Sequence, residues 1–249
     1  MGVAPTSIQL RDDARPLHVR ARNTSHTEDT FVQAHTASLL AADLIEPVPP
    51  NSPWASPIVV VRRPGSTKLR LVVDYRHLNS QSIRDPYPLP RIDDSMNAMS
   101  GAWWFSSGDL QSGFHQHPMV KDSRPYTAFV TKHGVFQWKV VPQGIQNGPS
   151  LFQRSMETIC GPLLHQLCVI FLDDIFIFTR STSFADHVAD LRSVFSRLDA
   201  AGCTLSVAKC QFGYDEIKCL GHIVNRQGVT VQAGLVDRIL TLRAPSNQT

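Results

Sequence analysis

The chain has 249 residues, enough to bury a real hydrophobic core, and its 42% apolar and 18% charged content is ordinary for a soluble protein. No apolar run approaches the roughly 18 residues of a membrane span, and the net charge of +3 is too small to mark a nucleic-acid binder by itself. Five cysteines, an odd number without CxxC spacing, fit neither a disulfide framework nor a zinc site and read as reduced thiols of an intracellular protein.

In chain order, residues 1–26 are polar, lack an apolar period and read as a loose leader. Met1 to Thr6 fits the short myristoylation pattern that would modify Gly2, a pattern that also recurs by chance. A helix is predicted over about 27–45, closed by Pro47, Pro49 and Pro50. Ile58 to Val61 and Leu69 to Tyr75 read as strands joined by Pro64-Gly65-Ser66. From Arg62 to Arg91, seven Lys and Arg face only Asp74 and Asp85, a local basic excess that could neutralise phosphates or simply be solvated.

Trp103 to Asp109 reads as a strand running into a turn. A helix with proline in its first turn follows Gly148-Pro149, with Phe152, Met156 and Ile159 on one face. A second amphipathic helix is predicted over about 184–201, capped by Ser183 and ended by Gly202. Short strands are expected around Ile217 to Val224 and Val229 to Val231. The order of elements points to an α+β, palm-like domain with an antiparallel sheet and helices covering one face.

Between those helices stands VIFLDDIFIF, residues 169–178. Two ionised carboxylates cannot sit unpaired inside a buried strand, so the chain is expected to turn at Asp173-Asp174 and present both acids at a hairpin tip. Adjacent acids repel, and a site that keeps both charged suits divalent cations with all-oxygen ligands, Mg²⁺ above all. A two-metal site draws carboxylates from separate segments. Asp109, at the end of an apolar strand 64 residues earlier, is the best distal partner, although its local sequence alone better suits a turn or helix-cap aspartate.

GDLQSGFHQ (108–116), VVPQGIQNGPSLFQR (140–154) and FLDDIFIF (171–178) resemble, in order and spacing, the motifs of reverse transcriptases. NSPWASPIVVV (51–61), LRLVVDYRHLN (69–79), PYPLPRID (86–93), AKCQF (208–212) and CLGHIV (219–224) resemble the gypsy-type LTR-retrotransposon branch in particular. The resemblance covers about Ala37 to Pro245. It implies the fingers and palm of a right-hand polymerase with the thumb largely absent. The implied division is a leader (1–26), a fingers-side region (27–102), a palm (103–232) and the start of a thumb or connection (233–249).

What the resemblance implies for function is RNA-directed DNA polymerisation at a primer 3′ end, from deoxynucleoside triphosphates, on an RNA or DNA template. Asp109, Asp173 and Asp174 would hold two Mg²⁺ ions, with Mn²⁺ as the alternative. Lys209 would protonate the leaving pyrophosphate. Lys68 and Arg70 would grip the triphosphate, Arg70 through a planar fork that pairs two phosphate oxygens. Phe114 would lie under the incoming sugar and exclude a 2′-hydroxyl, and Gln143 would contact the nucleotide near its 3′-hydroxyl. Leu220-Gly221-His222 would be the hairpin that grips the primer. A dimer, polyprotein neighbours such as RNase H and integrase, no membrane, and an intracellular location (a cytoplasmic retrotransposon particle, or the nucleus) complete the expectation.

Departures from the family pattern are Phe171 for the usual tyrosine, Tyr126 and Ala128 near a usual lysine-containing motif, Gln146 for a threonine and Gln111 for an arginine. None removes a metal ligand. The competing expectation is a catalytically inactive retroelement remnant that only binds nucleic acid or a partner. A metal-dependent nuclease or transposase suits the Asp pair, Gln143 and Phe114 less well.

Overall fold

The computed structural model describes residues 2–49, 51–62, 65–232, 234 and 241. Pro50, Arg63, Pro64 and, apart from Gly234 and Thr241, the expected thumb segment 233–249 lie outside the described residues. The elements begin with α1 (His26–Ala41), β1 (Ile45–Pro47), β2 (Ser56–Arg62), β3 (Leu69–Val73), α2 (Arg76–Gln81), α3 (Ile92–Met99) and β4 (Trp104–Asp109). They continue with β5 (Phe129–Thr131), β6 (Gly134–Trp138), α4 (Gly148–Cys160), β7 (Cys168–Phe171), β8 (Asp174–Thr179) and α5 (Phe184–Ala200). Four short strands close the series: β9 (Gln211–Tyr214), β10 (Glu216–Cys219), β11 (His222–Asn225) and β12 (Gly228–Val231).

The chain forms two compact units that interleave in sequence, Met1–Pro88 with Ser112–Ser155, and Leu89–Gln111 with Met156–Thr249. A single boundary near residue 102 therefore does not describe it. After β4 the chain returns to the first unit to add β5 and β6, and only then goes back for β7 and β8.

In the first unit a five-stranded sheet runs β1-β6-β5-β2-β3, antiparallel except where β2 lies parallel to β5. Val32 and Leu39 of α1, Ile58, Val73, Phe129 and Trp138 build its core. A capping box starts α1: the Ser25 side chain accepts from Glu28 N–H and the Glu28 carboxylate accepts from Ser25 N–H. The helix ends earlier than the proline cluster suggests. Asp43 takes a left-handed φ of 57°, and Ile45 then pairs with Trp138 as a strand.

Segment 2–26 has no helix or ladder of its own until α1, yet it is fastened to this unit. Thr6 N–H donates to the Pro118 carbonyl (2.8 Å), Ile83 N–H to Gln9 (2.8 Å) and Val19 N–H to Ala55 (3.1 Å). Backbone bonds hold it, with Ile8 and Leu10 packed against the core of the first unit.

In the second unit the antiparallel sheet runs β7-β8-β4-β9. Register places Phe105, Ser107 and Asp109 opposite Phe178, Phe176 and Asp174. Residues directly opposite share a face, so one face carries Phe105, Phe176, Phe178 and Val169. That face is filled by Met96 and Met99 of α3 with Ile217, Cys219 and Val224 of the β10-β11-β12 sheet. Ser106 and Thr179 project on the other face, where α5 binds them through His187. Both faces are covered, which accounts for the near-continuous apolar run of β8.

Candidate active site

β4 and β8 end level with each other, so Asp109 and Asp174 are direct cross-strand partners. Their α-carbons are therefore roughly 5 Å apart. The hairpin between β7 and β8 turns at Leu172-Asp173, one residue before the pair suggested, because Phe171 and Asp174 already face each other in the ladder. Leu172 occupies the left-handed region (φ 52°), where a side chain other than glycine's is strained. Asp173 thus takes the tip and Asp174 the first strand position. The Leu110 N–H reaches the Asp173 carbonyl at 3.4 Å, tying the end of β4 to the tip.

One oxygen of Asp173, Oδ1, is buried and has no hydrogen-bond partner. Burial pushes the Asp173 carboxyl above the usual carboxylate range, and the charges of Asp109 and Asp174 push it further. Asp174 is raised for the same reasons, burial first and then Asp109. Lys209 brings the compensating charge. Its Nζ donates to both oxygens of Asp109, at 3.0 and 3.2 Å, which in turn raises the lysine. It is placed there by Leu205 bridging Leu110, with the Ser206 N–H on the Asp109 carbonyl (2.8 Å).

Among the described residues, no three or more His, Cys, Asp or Glu side chains are already gathered as a metal site. The donor set nonetheless fits a divalent cation. Three carboxylates meet at one strand end, one buried oxygen lacks a partner, and an ammonium holds the position of positive charge at Asp109.

The other expected residues lie in the first unit. Val61 pairs with Arg70, so Arg70 stands on the β2-β3 hairpin, and its guanidinium donates to the Gln143 side-chain oxygen. Both line a cavity of about 530 Å³ with Phe31, His35, His115 and Trp138. Lys68 is exposed just before β3 and does not line that cavity. Phe114 is fixed from behind: its ring centroid is 5.1 Å from that of Phe152, and a Cβ at Gly148 would stand 3.2 Å from it. The structure thus gathers Asp109, Asp173, Asp174 and Lys209 in one unit, and Arg70 with Gln143 in the other. Phe114 and Lys68 belong to the first unit as well and do not line the cavity of Arg70 and Gln143.

Sequence reasoning passed over His35 and His115, whose two imidazoles are lowered chiefly by burial in the cavity wall. His115 follows Phe114 directly, a signal hidden by treating the motif as one functional residue. Leu220 and Gly221, with φ of 48° and 87°, form a two-residue turn between β10 and β11, as the β-hairpin reading of that segment requires.

The architecture is that of a nucleic-acid polymerase. The chain aligns with the foamy viral protease-reverse transcriptase solved with RNA/DNA hybrid at a TM-score of 0.83 and 24% identity, over 98% of this chain and 32% of that one. The same viral protein with double-stranded DNA gives 0.81 and 25%, over 98% and 49%. Residues 61–224 match the family described as reverse transcriptase (RNA-dependent DNA polymerase). The retrovirus-related Pol polyprotein of the Drosophila melanogaster transposon 297 is 36% identical over 93% of this chain, and that of gypsy 32% over 87%. A Schizosaccharomyces pombe Tf2-3 transposon polyprotein is 32% identical over 78% of the chain.

The chain belongs to the reverse transcriptase family, on its LTR-retrotransposon Pol branch. It spans 22%, 21% and 14% of the lengths of those three relatives. The family generally uses divalent metal ions. Among the described residues no helix is long and apolar enough to cross a membrane.

Proposed function

We propose that this chain is the polymerising part of a retrotransposon Pol polyprotein, adding deoxynucleotides to a primer 3′ end on an RNA template. The observation that carries the reading is the meeting of Asp109, Asp174 and the unpartnered Asp173 oxygen at one strand end, with Lys209 against them. Asp109, Asp173 and Asp174 would hold two Mg²⁺ ions. When bound, these would favour loss of the primer hydroxyl's proton and offset negative charge on the α-phosphate.

The remaining work falls to the side chains. Arg70 exchanges the neutral Gln143 oxygen for phosphate oxygens, which bind a guanidinium more strongly, and Lys68 adds charge from the loop before β3. Gln143, released from Arg70, turns to the sugar end of the nucleotide. Lys209 is held protonated by Asp109; once the ions engage that carboxylate, it would give its proton to the departing pyrophosphate and remain as the neutral amine.

Primer extension on an RNA template with Mg²⁺ and four deoxynucleotides, comparing the wild type with Asp173→Asn/Asp174→Asn, tests the proposal. Extension by the wild type alone supports it. A folded wild type that binds primer–template without extending it would instead support the inactive remnant.

Phe114→Ala tests the sugar gate. Because Phe152 and Gly148 back the ring, it cannot retreat from a 2′-hydroxyl, and a steric block of about 1–2 kcal/mol corresponds to a roughly five- to thirtyfold preference. Ribonucleotide incorporation relative to deoxynucleotide should rise by about that factor in the variant. An unchanged ratio would remove Phe114 from the gate.

A further inference from the structure

From residue 17 to residue 22 burial alternates without a break: Leu17, Val19 and Ala21 are half-buried, while His18, Arg20 and Arg22 are exposed. That period of two is the mark of an extended segment. Its backbone is anchored beside the start of β2, with the Ala55 N–H donating to Leu17 (2.8 Å) and the Val19 N–H to Ala55 (3.1 Å). Just upstream, the Arg15 N–H donates to the Gln81 side chain at 3.0 Å. Three cationic or titratable side chains are therefore held in a row along one edge of an anchored strand.

Arg20 makes no hydrogen bond or ion pair among the described residues. Arg22 stands 3.5 Å from Asp74, whose carboxylate is already taken by Arg76 at 2.8 Å. The Arg76 bonds, with some help from Arg22, hold that carboxyl down at about 2, so it stays charged. One carboxylate shared by two arginines, with Arg20 beside them, leaves the row positive.

We propose that His18, Arg20 and Arg22 form a binding ledge for the phosphodiester backbone of single-stranded nucleic acid. The inference rests on the nucleic-acid reading above and adds to it a surface outside the catalytic groups. Successive teeth are ~6.8 Å apart, comparable to the through-space separation of neighbouring phosphates along one nucleic-acid backbone. A guanidinium fork suits phosphate oxygens. The row is one extended strand wide, which matches one backbone rather than the two of a duplex.

The test is the salt dependence of binding, read by fluorescence anisotropy of a labelled oligothymidylate. Each lost phosphate contact flattens the plot of log binding constant against log salt by about 0.7 for single strands. Arg20→Gln/Arg22→Gln should flatten it by about 1.4, and Arg20→Gln alone by about 0.7. The single variant loses no protein partner, so misfolding does not obscure its result. Lys121→Gln/Arg192→Gln removes the same charge elsewhere and should leave the slope unchanged. A ledge variant that behaves like this control would overturn the proposal, as would equal flattening on a duplex of the same length. Failure of the wild type to bind at all would sink both the ledge and the polymerase reading. Ledge-dependent binding without primer extension would sink the polymerase reading alone.

Discussion

Asp173→Asn is expected to make the protein more stable at neutral pH while removing primer extension. The Asp173 carboxyl is pushed up by burial and by two neighbouring acids, and one of its oxygens is buried without a partner. Ionising it in the folded state is therefore unfavourable, and a neutral amide relieves both the desolvation and the repulsion. An unsatisfied buried group costs on the order of 1–3 kcal/mol, and taking about 1 kcal/mol as regained gives a rise in melting temperature of roughly 2–4 °C for a chain of this size.

The sign with pH follows from the raised carboxyl. Its contribution to stability is complete below the unfolded value and is lost as pH rises through the folded one, so the two proteins should converge in acid. Extension should fall by about a thousandfold or more, since a metal ligand supplies several kcal/mol of transition-state stabilisation. Millimolar Mg²⁺ should raise the wild-type melting temperature by binding the folded state, and leave the variant unmoved. Differential scanning calorimetry at neutral and acid pH, with and without Mg²⁺, checks all of this. A variant that melts below the wild type at neutral pH would mean that the Asp173 carboxylate is satisfied after all.

His187→Leu is expected to cost about 3 kcal/mol or more, a fall of roughly 6–12 °C. His187 is completely buried and stands 2.8 Å from both Ser106 Oγ and Thr179 Oγ1. Thr179 donates its single proton to Asp190 at 2.6 Å, so it can only accept from His187. The imidazole therefore carries its proton on Nδ1, and Nε2 accepts from Ser106, which itself accepts from the Gly213 N–H at 3.0 Å. One ring thus joins β8, α5, β4 and β9, and β9 begins two residues after Lys209. Leucine would leave the Ser106 and Thr179 hydroxyls without their buried partner.

Burial also lowers the His187 imidazole, although Asp190 opposes the shift. Its contribution to stability is whole above the unfolded value near 6.5 and is lost as pH falls below it, because only the unfolded chain takes up the proton. His117, lowered by burial to about 4, behaves alike. Urea unfolding above and below pH 6.5 should show an acid loss of stability in the wild type that is smaller in His187→Leu. An equal loss in both would place the titration elsewhere.

Much of the second unit was legible because its signals are local. The run around Asp173-Asp174 could not be buried straight, and α5 runs over Phe184–Ala200 against an expected 184–201. The turn itself was misplaced by one residue, since nothing in Leu172 announces a left-handed conformation. The first unit was harder to read. β5 and β6 are short, and β2 meets β5 as a parallel pair more than seventy residues away in sequence. Residues 2–26 misled for a similar reason: their partners Ala55, Gln81 and Pro118 are remote, and their bonds are made by backbone atoms that sequence pattern does not report. Within the site, the acids were visible as charges where charge is costly, whereas the cavity wall of Phe31, His35 and His115 looked like ordinary core.

The interleaving of the two units sets an order on synthesis. Ile45 pairs with Trp138, and between β1 and β6 come four further strands, one of which, β4, belongs to the other sheet. A nascent chain that has released β1, β2 and β3 cannot close its sheet until residue 138 is free of the ribosome, while β4 waits for β8 from Asp174 onward. Such late pairings slow folding and leave strand edges open in the interval. Nor can the protein be divided at a single peptide bond near residue 102. That cut would part β1 from its neighbour and take Met96 and Met99 from under the strand that carries Asp109. Two-piece complementation would therefore need a break that spares both returns of the chain, and an exposed surface turn such as Asn225 to Gly228 offers one.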